Sequence, residues 1–235
     1  MRQEKQNSSL TAKGDPLIYL SDYPYLQLVL LILLVNAGYE DFKRRKINTL
    51  PFLAINIVLI LYYAFTDAWI LVFFLPILGE YFLKKYSILL YPLLIVPIFF
   101  HFSLITLTLA YSILLIKLFG VLVRNFGKGD VKVLHAIAVT FPLYHNIQTL
   151  YSLFPPVLAV AMVASILGIV AAALKGTKRE RAYSVRKFSI SPHPALPKDD
   201  KFWIDGHKLV YKIPFVTFLM VGYAILLTLS LLRLV

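Results

Sequence analysis

The sequence YLQLVLLILLVNAGYEDFKRRK, residues 25–46, decides the class of fold. It begins with a predominantly apolar run, 25–41, and ends in a cluster of basic residues, 43–46. A helix of that length reaches nearly across the hydrocarbon core of a bilayer, and basic residues beside such a helix mark its cytoplasmic end. The stretch therefore predicts a membrane helix whose carboxyl end meets the polar surface.

Similar apolar runs recur along most of the chain. Of its 235 residues, 59% are hydrophobic and 15% are charged, whereas a soluble domain has roughly 45–50% and about 25%. We predict an all-α polytopic membrane protein, a bundle of about eight transmembrane helices. The apolar segments lie at 25–41, 49–66, 68–83, 87–102, 104–123, 131–148, 153–174 and 209–232.

The basic residues are distributed asymmetrically about these segments. Alternate connections carry 19 of the 24 lysines and arginines, which is the signature of loops retained in the cytoplasm. We therefore predict a multi-pass protein of the cell membrane with both termini outside. The net charge of +12 then forms a collar that faces anionic lipid headgroups, so no nucleic-acid partner is expected.

This topology divides the chain into four parts. They are an external N-terminal tail, the first seven helices, a basic cytoplasmic subdomain and the last helix, at 1–23, 24–174, 175–208 and 209–235. Within the subdomain we predict strands at 182–190 and 201–204. The chain has no cysteine, which excludes disulfides and cysteine-ligated zinc.

Ionisable residues at membrane depth are costly, so each is a functional candidate. Asp41 ends a helix that runs inward and Asp130 begins one that runs outward, so the topology places both carboxylates at the cytoplasmic face. An aspartyl protease needs two such groups: one, ionised, takes a proton from water, and the other, protonated, polarises the scissile carbonyl. Like charges at close range share one proton, and we assign neither role to either residue.

Both aspartates also have a purely structural interpretation. Asp130 follows Gly129 at the start of an apolar run, so it is a candidate N-cap of the sixth helix, with Gly127 ending the fifth. Asp41 is a candidate ion-pair partner for the basic residues at 43–46.

Three other ionisable side chains lie within the apolar segments. Glu80 and Lys117 are expected to pair with each other between the third and fifth segments. His135 is about 140° around the sixth helix from Asp130, and we expect it to pack or bond within the bundle. The five histidines are scattered and show no ligand spacing, so no metal is expected.

The two aspartates lie in stretches that resemble the motifs of the type IV prepilin peptidases, in particular the archaeal prepilin and preflagellin peptidases. The first stretch, DFKRRKINTLPF at 41–52, resembles their first motif through Asp41, Arg45, Ile47 and Asn48. The second, GKGDVKVL at 127–134, resembles their G-x-G-D-x-K motif through Gly127, Gly129, Asp130, Lys132 and Leu134. A third, YKIPFVTFLMVGYAI at 211–225, resembles the Pro-containing entry to their last helix.

This resemblance implies a GxGD aspartyl endopeptidase that removes the short basic leader from archaellin and pilin-like precursors at the cytoplasmic face, without a cofactor. It implies that Asp41 and Asp130 are the catalytic pair. Gly127 and Gly129 are expected to let the backbone approach closely, and Lys132 to lie at the headgroup surface. The acidic side chains available to a basic leader are Glu40, Glu80, Asp199, Asp200 and Asp205.

The chain departs from the family pattern in three ways. Its aspartates are 89 positions apart, further than in the six-helix archaeal members, which leaves room for one added hairpin of helices. Lys128 takes a place usually held by a small or apolar residue. The bacterial branch has a cysteine-ligated zinc domain and a methyltransferase activity, and neither is expected in a chain without cysteine.

Two other functions stay open. Presenilin-like intramembrane proteases combine G-x-G-D with a Tyr-Asp pair and a P-A-L motif before the last helix. PALP occurs here at 194–197, but in a hydrophilic stretch, and the first motif reads Tyr39-Glu40-Asp41. A transporter or a non-enzymatic membrane scaffold is disfavoured because the polar groups cluster at one end of the helices, whereas transport sites lie near the midplane.

Overall fold

The computed structural model describes residues 24–66, 68–122, 127–142, 154–186, 202–205, 208–211 and 213–232. Within these ranges eight α-helices follow one another: α1 Pro24–Arg44, α2 Leu50–Thr66, α3 Leu71–Phe82, α4 Ile95–Phe100, α5 Leu104–Leu122, α6 Lys128–Thr140, α7 Pro156–Arg186 and α8 Phe215–Leu231. Two 3-10 helices, Ala68–Ile70 and Lys84–Leu94, precede α3 and α4, and an antiparallel hairpin pairs β1 Phe202–Asp205 with β2 Lys208–Tyr211. The predominantly helical fold is as predicted.

Two of the helices, α1 and α5, are long and apolar enough to cross a membrane. Shorter apolar helices lie in five of the six other predicted segments. Many large apolar side chains are exposed, among them Ile32, Phe65 and Phe99. Exposed apolar surface on this scale marks a membrane or partner-binding face, which supports membrane association.

Proline explains where three helical segments depart from the prediction. The fourth was predicted as 87–102, but the chain forms a 3-10 helix around Pro92 and only then the short α4, because proline cannot donate the helical hydrogen bond. The sixth was predicted to reach 148, but α6 ends at Thr140, since Pro142 disfavours helical geometry at the preceding residue. The last begins after Pro214 rather than at 209, where the chain is a strand.

The segment 175–208, predicted to form a cytoplasmic subdomain, is only partly as predicted. The strand expected at 201–204 is confirmed by β1, Phe202–Asp205. The strand expected at 182–190 is wrong over 182–186, where α7 continues to Arg186. The remainder of that predicted strand and residues 1–23, predicted to form an external tail, lie outside the described residues.

Helix α6 lies at the centre of the bundle. It packs against α1, α2, α3, α5, α7 and α8, and Val131 and every residue of 133–140 are buried, as expected of a helix surrounded on all sides. Two apolar cores meet there. One joins α6 to α1, α7, α8 and the beginning of α2, and the other joins it to the end of α2, α3 and α5.

Candidate active site

Asp41 lies in the last turn of α1, with only 8% of its surface exposed. Its Oδ2 accepts hydrogen bonds from the backbone N–H groups of Val216 at 2.9 Å and Thr217 at 3.4 Å. These amides belong to the first turn of α8, where N–H groups have no partner within the helix and negative charge is favoured. The start of α8 therefore positions the Asp41 carboxylate.

Helix α8 is held against α1 by a close backbone approach near Asp41. The Thr217 hydroxyl donates to the carbonyl of Gly38 at 2.8 Å, and a Cβ at Gly38 would lie 3.3 Å from the Thr217 Cα. Both Val216 and Thr217 belong to the third stretch that resembles the peptidase family. Its pattern indicated a helix entry, but no residue type reveals that backbone amides there bind a carboxylate.

Asp130 lies in the first turn of α6 and is half-buried. The interpretation of Asp130 as the N-cap is wrong, because the N-cap is Gly127. Gly127 was also expected to end the fifth helix; α5 is described as far as Leu122, and residues 123–126 lie outside the described residues. Asp130 Oδ2 accepts the N–H of Gly127 at 3.0 Å, which is the reciprocal bond that an acidic residue in the first turn makes to the N-cap.

Helix α1, which carries Asp41, packs on α6, which carries Asp130. The charge on the Asp41 carboxylate acts on that of Asp130, so the two groups lie within electrostatic range at one end of the bundle. From the alternation of helix direction, the sequence predicted that both carboxylates lie at one face of the membrane. Their use in catalysis stays a prediction.

The two motif glycines make room for specific contacts. A Cβ at Gly129 would lie 2.7 Å from Cδ1 and 2.9 Å from Cγ1 of Ile47, so the first motif contacts the second directly here. A Cβ at Gly127 would lie 2.8 Å from the Oδ2 of Asp130. Carbon atoms in proteins pack at about 3.5–4.0 Å, so each contact requires glycine unless its partner moves.

A sharp turn ends α1 directly after Asp41. Arg45 has a φ of 56°, in the left-handed region that ends many helices. Its guanidinium donates to the carbonyls of Asp41 at 3.0 Å and Phe42 at 3.2 Å. Arg45 thus acts on the helix end, where carbonyls lack partners.

The loop that follows α1 places Ile47 in contact with Gly129. The N–H of Asn48 donates to Oε2 of Glu40 at 3.1 Å, and Asn48 Oδ1 accepts the N–H of Leu50 at 3.1 Å. Glu40, one of the acidic residues considered for substrate binding, therefore has a structural contact in this loop. Two others, Asp199 and Asp200, lie outside the described residues.

Lys132 was expected to lie at the headgroup surface, but it also packs against a neighbouring helix. Its side chain is half-buried, and its Nζ lies 4.3 Å from the centroid of the Tyr81 ring on α3. Such cation–π contacts stabilise a lysine away from bulk water. Lys128, the residue that departs from the family pattern, is exposed.

The predicted pairing of Glu80 with Lys117 is confirmed. Lys117 Nζ and Glu80 Oε1 lie 2.6 Å apart, with only 17% and 11% of the two side chains exposed. The same carboxylate oxygen accepts hydrogen bonds from the hydroxyls of Ser87 at 2.7 Å and Tyr91 at 3.0 Å. We refer to Glu80, Lys117, Ser87 and Tyr91 as the ion-pair site, and to Asp41 and Asp130 as the carboxylate site.

Comparison of the chain with known protein families, with characterised proteins and with solved structures finds no significant match in any of the three.

Proposed function

We propose that this protein is an aspartyl endopeptidase of the cell membrane, of the prepilin and preflagellin peptidase type. One observation carries the proposal. Asp41 and Asp130 come from distant parts of the chain, yet they lie within electrostatic range of each other. Backbone N–H groups position each carboxylate. Carboxylates that lie close together are the reactive groups of aspartic proteases.

In the proposed reaction the two carboxyl groups act as a general base and a general acid. The ionised carboxylate accepts a proton from water as the water oxygen attacks the scissile carbonyl. The protonated partner polarises that carbonyl, and a proton then passes to the departing nitrogen as the peptide bond breaks. The products are a leader with a new carboxyl terminus and a mature chain with a free amino terminus.

The substrate proposed is the precursor of an archaellin or a type IV pilin-like protein. Its apolar segment would lie among the helices, with the basic leader at the cytoplasmic face. We propose that all eight apolar segments cross or enter the bilayer. This placement is supported by the asymmetry of the basic residues and by the exposed apolar side chains.

The test is leader removal from a co-expressed precursor by membranes that contain the wild type, Asp41→Ala or Asp130→Ala. We expect each variant to lose at least about a hundredfold in rate, the scale of a general acid or base. The matched control is Asp67→Ala, an aspartate that the sequence places on the opposite side of the membrane. Thermal unfolding of each purified variant checks that the protein still folds.

Two outcomes would contradict the proposal. If a folded Asp41→Ala or Asp130→Ala variant removes the leader at the normal rate, the two residues are not a catalytic pair. If the wild type cuts the precursor within its apolar segment, the presenilin-like function replaces leader removal. Sequencing the amino terminus of the product separates these results.

A further inference from the structure

An unusually long 3-10 helix lies between α3 and α5. It covers the 11 residues of Lys84–Leu94, and α4, Ile95–Phe100, follows it directly. Runs of 3-10 helix longer than three or four residues are uncommon, because their hydrogen bonds have poorer geometry than those of an α-helix. A specific cause must therefore favour this winding. We refer to the 3-10 helix and α4 together as the 84–100 segment.

The two ends of the 84–100 segment carry residue types that mark the two surfaces of a bilayer. Its first two residues are Lys84 and Lys85, and lysine is typical of the cytoplasmic surface. At its other end Phe100 is exposed, and its ring stacks on that of Trp69 with the centroids 5.5 Å apart. Tryptophan is enriched where membrane meets water. We therefore expect the segment to have one end at each surface.

The length of the segment explains its winding. A crossing must cover about 30 Å of hydrocarbon. If the whole segment, with its parts of 11 and 6 residues, were an α-helix, it would be about 25 Å long. A 3-10 helix rises about 2.0 Å per residue, so the observed combination reaches about 31 Å. The 3-10 winding thus gives a short segment the length of a full crossing.

The packing of the segment leaves few other ways to adjust its length. Its first part is fastened to α3, because Glu80 Oε1 accepts hydrogen bonds from Ser87 and Tyr91, and a Cβ at Gly79 would lie 2.8 Å from Cδ1 of Leu90. Tilting shortens the distance that a helix spans across the bilayer, so it helps only a helix that is too long. A change of winding is the adjustment that remains.

Pro92 brings the two windings closer in free energy. It lies inside the 3-10 part and lacks the N–H that either winding would use. In an α-helix its ring also clashes with the carbonyl of the residue four positions earlier, so the α form loses much of its usual advantage. Mismatch between a helix and its bilayer has a modest cost for each ångström, which is enough to shift such a balance.

We propose that the 84–100 segment adapts to the thickness of the bilayer. Residues 84–94 form the 3-10 helix in a thick bilayer and change to an α-helix in a thin one. The controlling ligand is the lipid, through the length of its acyl chains. This inference rests on the membrane placement proposed above and not on the peptidase activity, so it is tested without a precursor.

Distances between pairs of spin labels, measured by double electron–electron resonance, test the inference on the full-length protein in liposomes. The chain has no cysteine, so two introduced cysteines can be labelled selectively. Leu83→Cys/Phe99→Cys places labels at exposed positions on either side of residues 84–94. The matched control is Leu50→Cys/Thr66→Cys, because both positions are exposed, they are also 16 positions apart, and they lie on the α-helix α2.

We expect the distance between positions 83 and 99 to be about 5 Å longer in phosphatidylcholine with twenty-two-carbon chains than with fourteen-carbon chains. This is the difference between the two windings over the 3-10 part. The control distance should change by less than about 1 Å, since the rise of an α-helix is fixed. A distance between positions 83 and 99 that is the same in both bilayers would overturn the inference. An equal change in the control pair would do the same.

The variant Pro92→Ala sharpens the test, because alanine restores the N–H and removes the clash. In this variant we expect the distance between positions 83 and 99 to keep its shorter value at longer acyl chains than in the wild type. Ile88→Ala is the control, since it lies at an exposed position of the same 3-10 helix and changes no backbone donor. If Pro92→Ala kept the longer distance in every bilayer, the two windings would not be in balance and the inference would fail.

Discussion

Two pairs of ionisable side chains in the described helices differ in whether their charges are opposite or alike. In the ion-pair site, Lys117 meets Glu80 at 2.6 Å, and two hydroxyl groups complete the shell of the carboxylate. In the carboxylate site, two groups of the same sign lie within electrostatic range. There the compensation comes from backbone N–H groups at the first turns of α6 and α8.

From this difference we expect a structural role for the ion-pair site and a functional one for the carboxylate site. A buried pair of opposite charges offsets its desolvation only with good geometry and further hydrogen bonds, and the ion-pair site has both. Two carboxyl groups at close range disfavour each other's ionisation, and such arrangements cluster at active sites because catalysis uses them. The ion-pair site therefore explains how the bundle tolerates charge, and the carboxylate site is where we expect chemistry.

The largest predicted change in stability follows removal of one charge from the ion-pair site. Lys117→Met leaves the Glu80 carboxylate buried without its cation, and we expect a loss of about 3 kcal/mol in the free energy of unfolding. Asp130→Asn should change it by less than about 1 kcal/mol, since it removes a like charge. Denaturant unfolding in mixed micelles measures both.

The double variant Glu80→Gln/Lys117→Met is the control for the ion pair. It removes both charges, so we expect it to recover most of the stability that Lys117→Met loses. If Asp130→Asn proved as destabilising as Lys117→Met, both pairs would be structural and the contrast between the sites would fail.

A smaller effect is predicted where the two motifs touch. Gly129→Ala introduces a Cβ against Ile47, and overpacking of this kind costs about 1–3 kcal/mol. Ile47→Ala removes the atoms that collide, so the double variant should be more stable than the sum of the single effects by at least about 1 kcal/mol. The exposed Ile57 on α2 gives the control, Ile57→Ala. Coupling of Gly129→Ala to Ile57→Ala as strong as to Ile47→Ala would contradict the contact.

The smallest effect is predicted at the support of Asp41. Thr217→Val removes the hydroxyl that bonds the Gly38 carbonyl, and we expect a loss of about 1 kcal/mol together with slower leader cleavage. Thr228→Val is the matched control, because that hydroxyl is exposed and bonds only to Ala224 of its own helix. Equal effects of the two variants on cleavage would show that the contact between α1 and α8 does not support the carboxylate site.

The sequence predicted those features that depend on composition and on the direction of successive helices. Apolar length predicted the helical segments, and alternation of the basic loops predicted that Asp41 and Asp130 lie at one face of the membrane. The pairing of Glu80 with Lys117 followed because buried charges require partners. Each of these predictions depends on whether side chains are apolar or charged, which can be read from the sequence.

Features that depend on the backbone could not be predicted in the same way. Gly127, rather than Asp130, is the N-cap of α6. Its contacts there are made by the backbone, which every residue has, so the residue type did not reveal the position. The amides of Val216 and Thr217 bind Asp41 across 175 and 176 positions of sequence, and no side chain signals the contact. Pro142 and Pro214 marked where helices end and begin, but the predicted segments ran past them on apolar composition alone.

The contact between Ile47 and Gly129 also restricts how this sequence can diverge. A larger residue at 129 would require Ile47 to shift, and a smaller residue at 47 would leave a gap against glycine. The two positions are therefore expected to covary, although they lie 82 positions apart in the sequence. Related chains that lack this glycine should carry a compensating small residue at the position of Ile47. Such paired changes would preserve the contact between the two motifs and, with it, the relative position of Asp41 and Asp130.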